Sequence, residues 1–308
     1  MRNVQESLRT IFRRLPGHIR APLERAAPFY EAFVQEIILR SERPVAIECG
    51  DTRFYLAENG AVSTSVRAAG LLCPTGADIA GIFRRICDYS VYARQRELNS
   101  GYITIENGVR VGVCGTAVQG SDGIMNIKDI TTLSFRAACE IIGCSRDILG
   151  RITPLDGLLV CGAPCSGKTT VLRDAARVLS ERYKVSIIDE RNEISATVGG
   201  VCGYDIGMSD VLVGMKKGEG MLHALRSLSP DILVCDELGG RKDADALRDV
   251  LRSGTAVIAS VHAWDLDDLR RREITAELLN TGAFRYIALL GDRRSAGEVR
   301  AVYQLRDV

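Results

Sequence analysis

Near the middle of the chain lies the segment Gly162-Ala163-Pro164-Cys165-Ser166-Gly167-Lys168-Thr169-Thr170. It follows the apolar run 158–161 and precedes a helical pattern of apolar residues that reaches Leu179. The G-x-x-x-x-G-K-[ST] spacing in a strand-loop-helix setting is typical of a phosphate-binding loop. Such a loop turns backbone N–H groups toward the ligand at a helix N-terminus, where the helix dipole favours negative charge.

Individual residues of this loop have distinct predicted roles. Gly162 and Gly167 allow positive φ and close approach of the backbone to the ligand. Lys168 is expected to reach the β- and γ-phosphates of ATP, and the Thr169 hydroxyl to bind Mg²⁺. Cys165 lies where a helix N-terminus favours a thiolate, although a tolerated variable position is the simpler interpretation. We therefore expect the loop to bind ATP with Mg²⁺.

The length, composition and charge of the chain limit the classes of protein to which it can belong. A chain of 308 residues with 46% hydrophobic and 26% charged residues can form two ordinary globular domains. Forty basic and thirty-nine acidic residues leave a net charge of +1, so no global electrostatic case for nucleic acid exists. No apolar run approaches the ~18 residues of a membrane span, and the charged N-terminus lacks a signal-peptide core. These features predict a cytoplasmic protein.

Ten cysteines are scattered along the chain without a C-x-x-C pair. In an intracellular protein such residues are mostly small buried hydrophobes rather than zinc ligands or disulfides. We therefore expect most of them to be buried.

The N-terminal half alternates helical and strand patterns. Two helices are predicted in residues 1–40, divided at Leu15-Pro16-Gly17, with the second at about 28–39. The first has an apolar face and several arginines, which is typical of a helix packed on its own domain and also of one lying on a membrane. Short strands at 45–47 and 54–56 and a long helix from Thr75 or Asp78 to about Leu98 follow.

A hairpin is the clearest feature of this half. Alternating residues flank Asn107-Gly108, which is a strong hairpin signal. Gly112 and Gly115 indicate a tight approach or a bulge on the returning strand. A linker near 150–154 separates a predicted domain of residues 1–150 from one of residues 151–308.

Two acidic clusters follow apolar strands in the C-terminal half. The strand at 184–188 ends in Asp189-Glu190-Arg191-Asn192-Glu193, beside the expected ligand crevice. The strand at 231–235 ends in Asp236-Glu237. Asp236 has the position needed to hold the water shell of Mg²⁺, and Glu237 can accept a proton from the attacking water.

The strand at 184–188 lies in sequence between the two motif strands, as an additional-strand ATPase requires. We therefore predict an α/β fold with a C-terminal RecA-like, additional-strand P-loop ATPase domain and a smaller N-terminal α+β domain. A GTPase is disfavoured because no [NT]-K-x-D motif accompanies the D-x-x-G match at 236–239. The Asp-Glu pair and the next strand, at 255–260, favour hydrolysis over small-molecule kinase activity.

That next strand leads to Val261-His262. His262 could hydrogen-bond near the γ-phosphate, or it could be a satisfied core histidine. Trp264 is expected to pack rather than to act chemically. Residues 265–279 are predicted to be helical, and strands at 284–290 and 299–305 to form a hairpin around Asp292-Arg293-Arg294.

Several long strings resemble the stage III sporulation protein AA family, and the resemblance covers nearly the whole chain. They are Tyr89-Ser90-Val91-Tyr92, Gly101-Tyr102-Ile103-Thr104-Ile105, Arg110-Val111-Gly112-Val113-Cys114-Gly115, Ile127-Lys128-Asp129-Ile130, the phosphate loop, Ile188-Asp189-Glu190-Arg191-Asn192-Glu193-Ile194 and Ser227-Leu228-Ser229-Pro230-Asp231. The family is similar in its ATPase half to type II and type IV secretion ATPases. The resemblance implies a homo-oligomeric, hexameric ring on the mother-cell side of a sporulation channel, peripheral to the membrane and bound to membrane proteins of that complex.

The resemblance also assigns residues. Asp189, Glu190 and Glu193 match the acidic box of secretion ATPases, His262 matches their histidine box, and Arg226 matches an arginine before the Walker B strand. One departure is Met208, where family members tend to carry arginine after the pair that here is Ile206-Gly207.

Three hypotheses follow for the assembled protein. In a ring, an arginine of the N-terminal domain (Arg94, Arg96 or Arg110) could complete the nucleotide site of a neighbouring subunit. Alternatively, the N-terminal half could bind single-stranded nucleic acid through basic and aromatic residues such as Tyr89 and Tyr92, although the net charge disfavours this. A structural ring subunit that binds ATP with little turnover is the third possibility.

Overall fold

Two seven-stranded sheets organise the chain. The structure is a computed structural model that describes residues 3–50, 52–99, 101–120, 123–137, 140–292 and 297–305. One unit comprises Met1–Glu140 with Val198–Gly203, and the other comprises Ile141–Thr197 with Tyr204–Val308.

The N-terminal unit carries an antiparallel sheet. Among its described residues the helices are Asn3–Arg14 (α1), Gly17–Tyr30 (α2), Gly76–Ile86 (α3) and Gln95–Asn99 (α4). The strands are Val34–Arg40 (β1), Arg43–Cys49 (β2), Thr52–Leu56 (β3), Val62–Ser63 (β4), Tyr102–Thr104 (β5), Arg110–Gly120 (β6) and Gly123–Arg136 (β7). Their order in the sheet is β4-β3-β2-β1-β7-β6-β5.

The first helix packs on its own unit, as the sequence favoured. Val4, Leu8 and Ile11 of α1 are buried in the same core as the strands of this sheet. The helix predicted at 28–39 is wrong, because α2 ends at Tyr30 and residues 34–40 form β1. This strand lies between β2 and β7, and its central residues 37–39 are all buried. A run buried on both faces lacks the alternation that marks a strand in sequence.

The long helix predicted from Thr75 to Leu98 is interrupted. Thr75 caps α3 through a capping box with Asp78, as expected from the sequence. The helix ends at Ile86, and the residues Asp88 and Tyr89 then adopt φ of 49° and 61°. Left-handed backbone cannot continue an α-helix, so helical structure resumes only in a 3₁₀ turn at Tyr92–Arg94 that leads into α4.

The predicted hairpin is confirmed. Strands β5 and β6 pair antiparallel, and the turn contains Asn107 and Gly108 at positive φ. The pairing of β6 with β7 shifts register at Gly115, where a Cβ would lie 2.5 Å from the Lys128 carbonyl oxygen. Glycine is therefore required at the predicted bulge.

The C-terminal unit carries a mostly parallel sheet. Its helices, among the described residues, are Arg146–Leu149 (α5), Lys168–Leu179 (α6), Lys217–Ser227 (α7), Arg241–Arg252 (α8), Leu266–Arg271 (α9) and Glu273–Asn280 (α10). Its strands are Leu158–Gly162 (β8), Val185–Asp189 (β9), Asp210–Val213 (β10), Ile232–Cys235 (β11), Ala256–His262 (β12), Tyr286–Leu290 (β13) and Val299–Gln304 (β14). Only the pairing of β13 with β14 is antiparallel among the pairings described here.

Both faces of this sheet are covered. Alternate residues of β8 enter two different cores: Leu159 packs with residues of α7, α8 and α10, and Leu158 and Val160 pack with residues of α6. The central strand β8 is therefore apolar and buried along its whole length, as expected for a parallel sheet between helix layers.

The strand order corrects one prediction. The order is β10-β9-β11-β12-β8-β13-β14, so β12 lies between β8 and β11. An additional strand does separate the two motif strands, but it is 256–262. The strand at 184–188, which the sequence placed there, lies beyond β11 as β9. Sequence order differs from spatial order because each parallel connection crosses over the sheet.

Three smaller expectations can be compared with the structure. The helix predicted at 265–279 is divided at Arg272 into α9 and α10. The terminal hairpin is confirmed by β13 and β14, while Arg293 and Arg294 lie outside the described residues. Within the described ranges, no helix is both long and apolar enough to cross a membrane.

Most cysteines were predicted to be buried, which is wrong for the nine that are described. Cys87, Cys161 and Cys235 are buried, and burial raises the pKa of each thiol. Two others are partly buried, and four are exposed: Cys73, Cys114, Cys165 and Cys202.

Candidate functional site

The carboxyl ends of four adjacent parallel strands meet at one edge of the C-terminal sheet. Strand β8 ends at Gly162 in register with His262 at the end of β12. Strand β11 ends one residue before Asp236, and β9 ends at Asp189. This edge is where open α/β sheets bind ligands, and most of the predicted site residues lie there.

The phosphate loop connects β8 to α6. Gly167 has a φ of 91°, and the exposed Cys165 also lies in the left-handed region at 62°. Pro164 is exposed as well, whereas Ser166 is fully buried and its backbone N–H donates to the Ala163 carbonyl at 3.2 Å. A Cβ at Gly162 would collide with the Ser166 hydroxyl. The loop is thus built for close backbone approach.

Lys168 lies at the centre of this loop. Its Nζ donates to the carbonyl oxygens of Gly162 at 3.0 Å and Ala163 at 2.8 Å. Its third contact is Nδ1 of His262, at 3.0 Å. Burial lowers the pKa of Lys168 in spite of the nearby carboxylates of Asp236 and Glu237.

The contact with Lys168 defines the tautomer of His262. An ammonium group has donors only, so Nδ1 must accept and the proton must be on Nε2. This Nε2 lies 2.9 Å from Oε1 of Glu237 and therefore donates to it. His262 is partly exposed and bonded through both nitrogens, so it is not a buried core histidine.

Thr169 and Asp236 are in direct contact. The Thr169 hydroxyl donates to Oδ2 of Asp236 at 2.5 Å. Oδ1 of Asp236 accepts from the Glu237 N–H at 2.9 Å and from the Ser260 hydroxyl. A hydroxyl and a carboxylate are hard oxygen donors of the kind Mg²⁺ prefers, and this ion usually takes one or two carboxylates together with phosphates and water. The residues present therefore fit Mg²⁺ bound with a polyphosphate.

Both carboxylate oxygens and the backbone N–H of Glu237 have hydrogen-bond partners. Its backbone has a φ of 47°, and its N–H also contacts the Ser260 hydroxyl at 3.0 Å. His262 contacts Oε1, and Nη1 of Arg191 contacts Oε2 at 2.8 Å. Sequence reasoning assigned no role to Arg191 or Ser260. The signal for Arg191 was its place inside the charged string after β9.

The acidic segment after β9 has both structural and exposed parts. Asp189 is buried and accepts hydrogen bonds from the backbone N–H groups of Glu193, Ile194 and Ser195. These bonds give it a structural role in the turn. Glu190 pairs with Nζ of Lys217 at 2.8 Å, and Glu190 and Glu193 line one cleft with Asp236 and Glu237.

Arg173 ties the phosphate-loop helix to this segment. Its guanidinium donates to the carbonyl oxygens of Ile194 at 2.7 Å and Glu193 at 2.8 Å. Its Cζ atom lies 3.6 Å from the centre of the Tyr204 ring. A movement of α6 would therefore displace the acidic segment through Arg173.

Arg226 is not brought to this edge. Helix α7 begins beside Glu190, because Lys217 is its first residue, and Arg226 is in its last turn. The helix leads back to the amino end of β11, so Arg226 is exposed at the opposite edge of the sheet. Trp264, expected to pack, is 61% exposed, and Met208 is 84% exposed.

The arginines considered for a neighbouring site belong to the N-terminal unit. Arg94 pairs with Glu97 at 2.9 Å and with Asp88 at 3.4 Å. The Cζ atom of Arg110 lies 4.7 Å from the centre of the Tyr102 ring. The side chain of Arg96 lies outside the described residues.

Comparison with solved structures identifies the fold. The Legionella pneumophila ATPase DotB is similar with a TM-score of 0.53 and 17% identity, covering 89% of this chain and 77% of that one. The pilus retraction motor PilT, solved with bound ADP, is similar with a TM-score of 0.54 and 12% identity, covering 88% and 76%. At these identities the likeness concerns the fold alone, and it confirms the predicted P-loop ATPase fold with an N-terminal domain.

Comparison of sequences identifies the family. The chain matches the family described as "Sporulation stage III, protein AA" over residues 5–308. Stage III sporulation protein AA of Bacillus subtilis (strain 168) is 32% identical over 279 residues, which cover 88% of this chain and 86% of that protein. The chain therefore belongs to the stage III sporulation protein AA family.

Proposed function

We propose that this protein binds ATP with Mg²⁺ and hydrolyses it. The observation that carries the proposal is the direct contact between the Thr169 hydroxyl and the Asp236 carboxylate. It unites the phosphate loop with the acidic end of β11, two segments that are 67 positions apart. The chain of contacts from Lys168 through His262 to Glu237 also supports ATP binding and hydrolysis at this site.

Binding would use the loop and its lysine. The N–H groups at the start of α6 would bind phosphate oxygens. Lys168 would release the carbonyl oxygens of Gly162 and Ala163 and contact phosphate oxygens instead. The hydroxyl of Thr169 and the carboxylate of Asp236 would hold Mg²⁺, which when bound neutralises phosphate charge. Thr170, the next residue of the same helix, completes the proposed nucleotide-binding segment.

Hydrolysis would use Glu237 as the general base. The oxygen of a water molecule forms a bond to the γ-phosphorus, and the bond from that phosphorus to the bridging oxygen of the β-phosphate breaks. The water proton passes to the Glu237 carboxylate, and ADP and phosphate are released. His262 positions the carboxylate by donating to Oε1. If Glu237 is not the base, Glu193 and Glu190 in the same cleft are the next candidates.

The assembly we propose is a homo-oligomeric ring, with six subunits as the expected number. Its biological setting would be a sporulation channel at the membrane between mother cell and forespore, on the cytoplasmic, mother-cell side, in contact with membrane proteins. Membership of a sporulation family and likeness to a pilus motor and an ATPase support this proposal. Arg94, Arg96 or Arg110 of a neighbouring subunit would complete the nucleotide site.

Nucleic-acid binding by the N-terminal unit is the alternative. Tyr89 and Tyr92 are 78% and 87% exposed, as base stacking requires. Arg94 is already paired with Asp88 and Glu97, which weakens its attraction for phosphates. Salt-dependent binding of single-stranded DNA would favour this alternative.

The proposed function is tested by measuring ATP turnover of the purified full chain against its oligomer size. Turnover that requires Mg²⁺ and rises with assembly supports a ring ATPase. ATP binding without turnover in any assembly state would favour the structural ring subunit instead.

A further inference from the structure

The proposed hydrolysis gives no role to Arg191, although this residue contacts the proposed base. Its Nη1 lies 2.8 Å from Oε2 of Glu237, the proposed base, while His262 holds the other carboxylate oxygen. The side chain of Arg191 is 62% exposed, whereas that of Glu237 is 29% exposed. The arginine therefore reaches the reaction centre from the solvent side and has room to move.

The backbone that carries Arg191 is fixed. Asp189 accepts hydrogen bonds from residues 193–195, and the Asn192 side chain accepts from the Thr197 N–H at 2.7 Å and donates to the Thr197 carbonyl at 2.8 Å. Arg173 of the phosphate-loop helix bonds to the carbonyls of residues 193 and 194. The guanidinium is thus aimed from a rigid turn, which is the arrangement that a preorganised charge needs.

A chain of side-chain contacts links Lys168, where a phosphate would bind, to this guanidinium. Lys168 and Glu237 contact opposite nitrogens of a single imidazole ring, that of His262. Arg191 contacts the far oxygen of the same Glu237 carboxylate. A guanidinium keeps its charge at all ordinary pH values and matches phosphate oxygens with two parallel donors.

We propose that Arg191 is a catalytic residue supplied by the same chain. Its guanidinium gives up its contact with Glu237 and binds the γ-phosphate of ATP. The inference rests on the proposed ATPase function. The exchange of partners has two effects. The transferring phosphoryl group gains a positive charge, and Oε2 of Glu237 becomes free to accept the proton of the attacking water.

The test compares Arg191→Gln, Arg191→Lys and the control Arg182→Gln in the full chain. Arg182 is exposed and lies between α6 and the amino end of β9, whereas the acidic segment follows the carboxyl end of that strand, so its loss removes one positive charge without touching the site. Affinities for ATP and ADP are measured separately, together with Mg²⁺-dependent turnover and the unfolding temperature.

Arg191→Gln is expected to weaken ATP binding about tenfold and to lower kcat by about 10²- to 10³-fold. ADP has no γ-phosphate, so its affinity should equal that of the wild type. The unfolding temperature should also be unchanged, because exposed ion pairs contribute little to stability. Arg191→Lys should recover part of the ATP affinity, and Arg182→Gln should match the wild type throughout.

Three results would overturn the inference. An Arg191→Gln protein with wild-type turnover and an unchanged preference for ATP over ADP would exclude the exchange of partners. A parallel loss of ATP and ADP affinity would mean that Arg191 only maintains the structure. A wild-type protein that neither binds nor hydrolyses ATP would remove the proposed function and this inference together.

Discussion

The hydroxyl of Thr169 and the carboxylate of Asp236 are joined by a hydrogen bond of 2.5 Å between Oγ1 and Oδ2. Thr169 lies in the first turn of α6 and Asp236 directly follows β11, and β12 lies between β8 and β11 in the sheet. The contact places the two side chains proposed to bind Mg²⁺ beside Lys168.

Removing either member of the pair should weaken the effect of Mg²⁺ on ATP binding. Thr169→Ala and Asp236→Asn are expected to lower magnesium affinity in the complex by about 10- to 100-fold, as loss of an orienting ligand does. Thr169→Ser keeps the hydroxyl and serves as the matched control. ATP titrations with and without Mg²⁺, followed by the fluorescence of the single tryptophan Trp264, measure the difference. Equal magnesium dependence in all four proteins would contradict the assignment.

Lys168 predicts a pH dependence of nucleotide binding. Burial lowers the pKa of this lysine, so its positive charge is lost at a lower pH than in an exposed lysine. ATP affinity is therefore expected to be full below that lowered pKa and to fall as the pH rises through it. Lys168→Ala should abolish ATP binding.

The control for this profile is Lys168→Arg, which keeps its charge in the alkaline range. Its ATP affinity, although weaker at neutral pH, should stay level where that of the wild type falls. Isothermal titration across the alkaline range separates the two. Parallel curves for the two proteins would mean that another group controls the profile.

His262 is expected to affect turnover more than binding. It accepts from Lys168 and donates to Glu237, so its loss leaves the proposed base poorly oriented. His262→Ala should lower kcat about 10- to 100-fold with ATP affinity little changed. His262→Gln retains an N–H donor near the position of Nε2 and should lose less. Equal kcat values for the wild type and His262→Ala would exclude the positioning role.

Asp174 is a stability determinant on the same helix. Its buried carboxylate accepts from the N–H groups of Gly143 and Ser145, from the Ser145 hydroxyl and from Arg177. Burial opposes the charge of this carboxylate, but the hydrogen bonds outweigh it and the pKa of Asp174 is lowered. Asp174→Ala is expected to cost about 2–4 kcal/mol of unfolding free energy.

The sign of the pH effect follows from linkage. Because the folded pKa of Asp174 is lowered, its contribution is complete above the unfolded pKa and is lost as the pH falls through the folded pKa. The wild type should therefore lose more stability on acidification than Asp174→Asn does. Asp147→Asn, which removes an exposed carboxylate paired with Arg151, is the control and should cost under about 1 kcal/mol. Denaturation at two pH values measures both, and identical acid sensitivity of the wild type and Asp174→Asn would contradict this account.

Much of the site could be predicted because its signals are local. The loop at 162–170 and the carboxylates at 236 and 237 each follow a strand whose apolar run is visible in the sequence. Parallel strands bring their carboxyl ends to one edge, so the meeting of Thr169 with Asp236 follows from the class of fold.

The remaining features depend on packing that a single sequence does not display. Which strand separates β8 from β11 is decided by crossovers, and the pattern of residues 256–262 resembles that of residues 184–188. Residues 37–39 of the strand at 34–40 are all buried, so the strand lacks a clear alternation and its periodicity resembled that of a helix. Arg226 was assigned by resemblance, but the direction of α7 takes it to the other edge. The pairing of Arg191 with Glu237 joins two loops that are far apart in sequence, so the charged string after β9 marked Arg191 but did not predict its partner.

The most direct test of the central claim compares Mg²⁺-ATP binding and phosphate release by the wild type and by Glu237→Gln. Wild-type protein is expected to bind ATP and release phosphate, while Glu237→Gln binds ATP at least as tightly and releases phosphate about 10²- to 10⁴-fold more slowly. Normal phosphate release by Glu237→Gln, or no ATP binding by the wild type, would contradict the account.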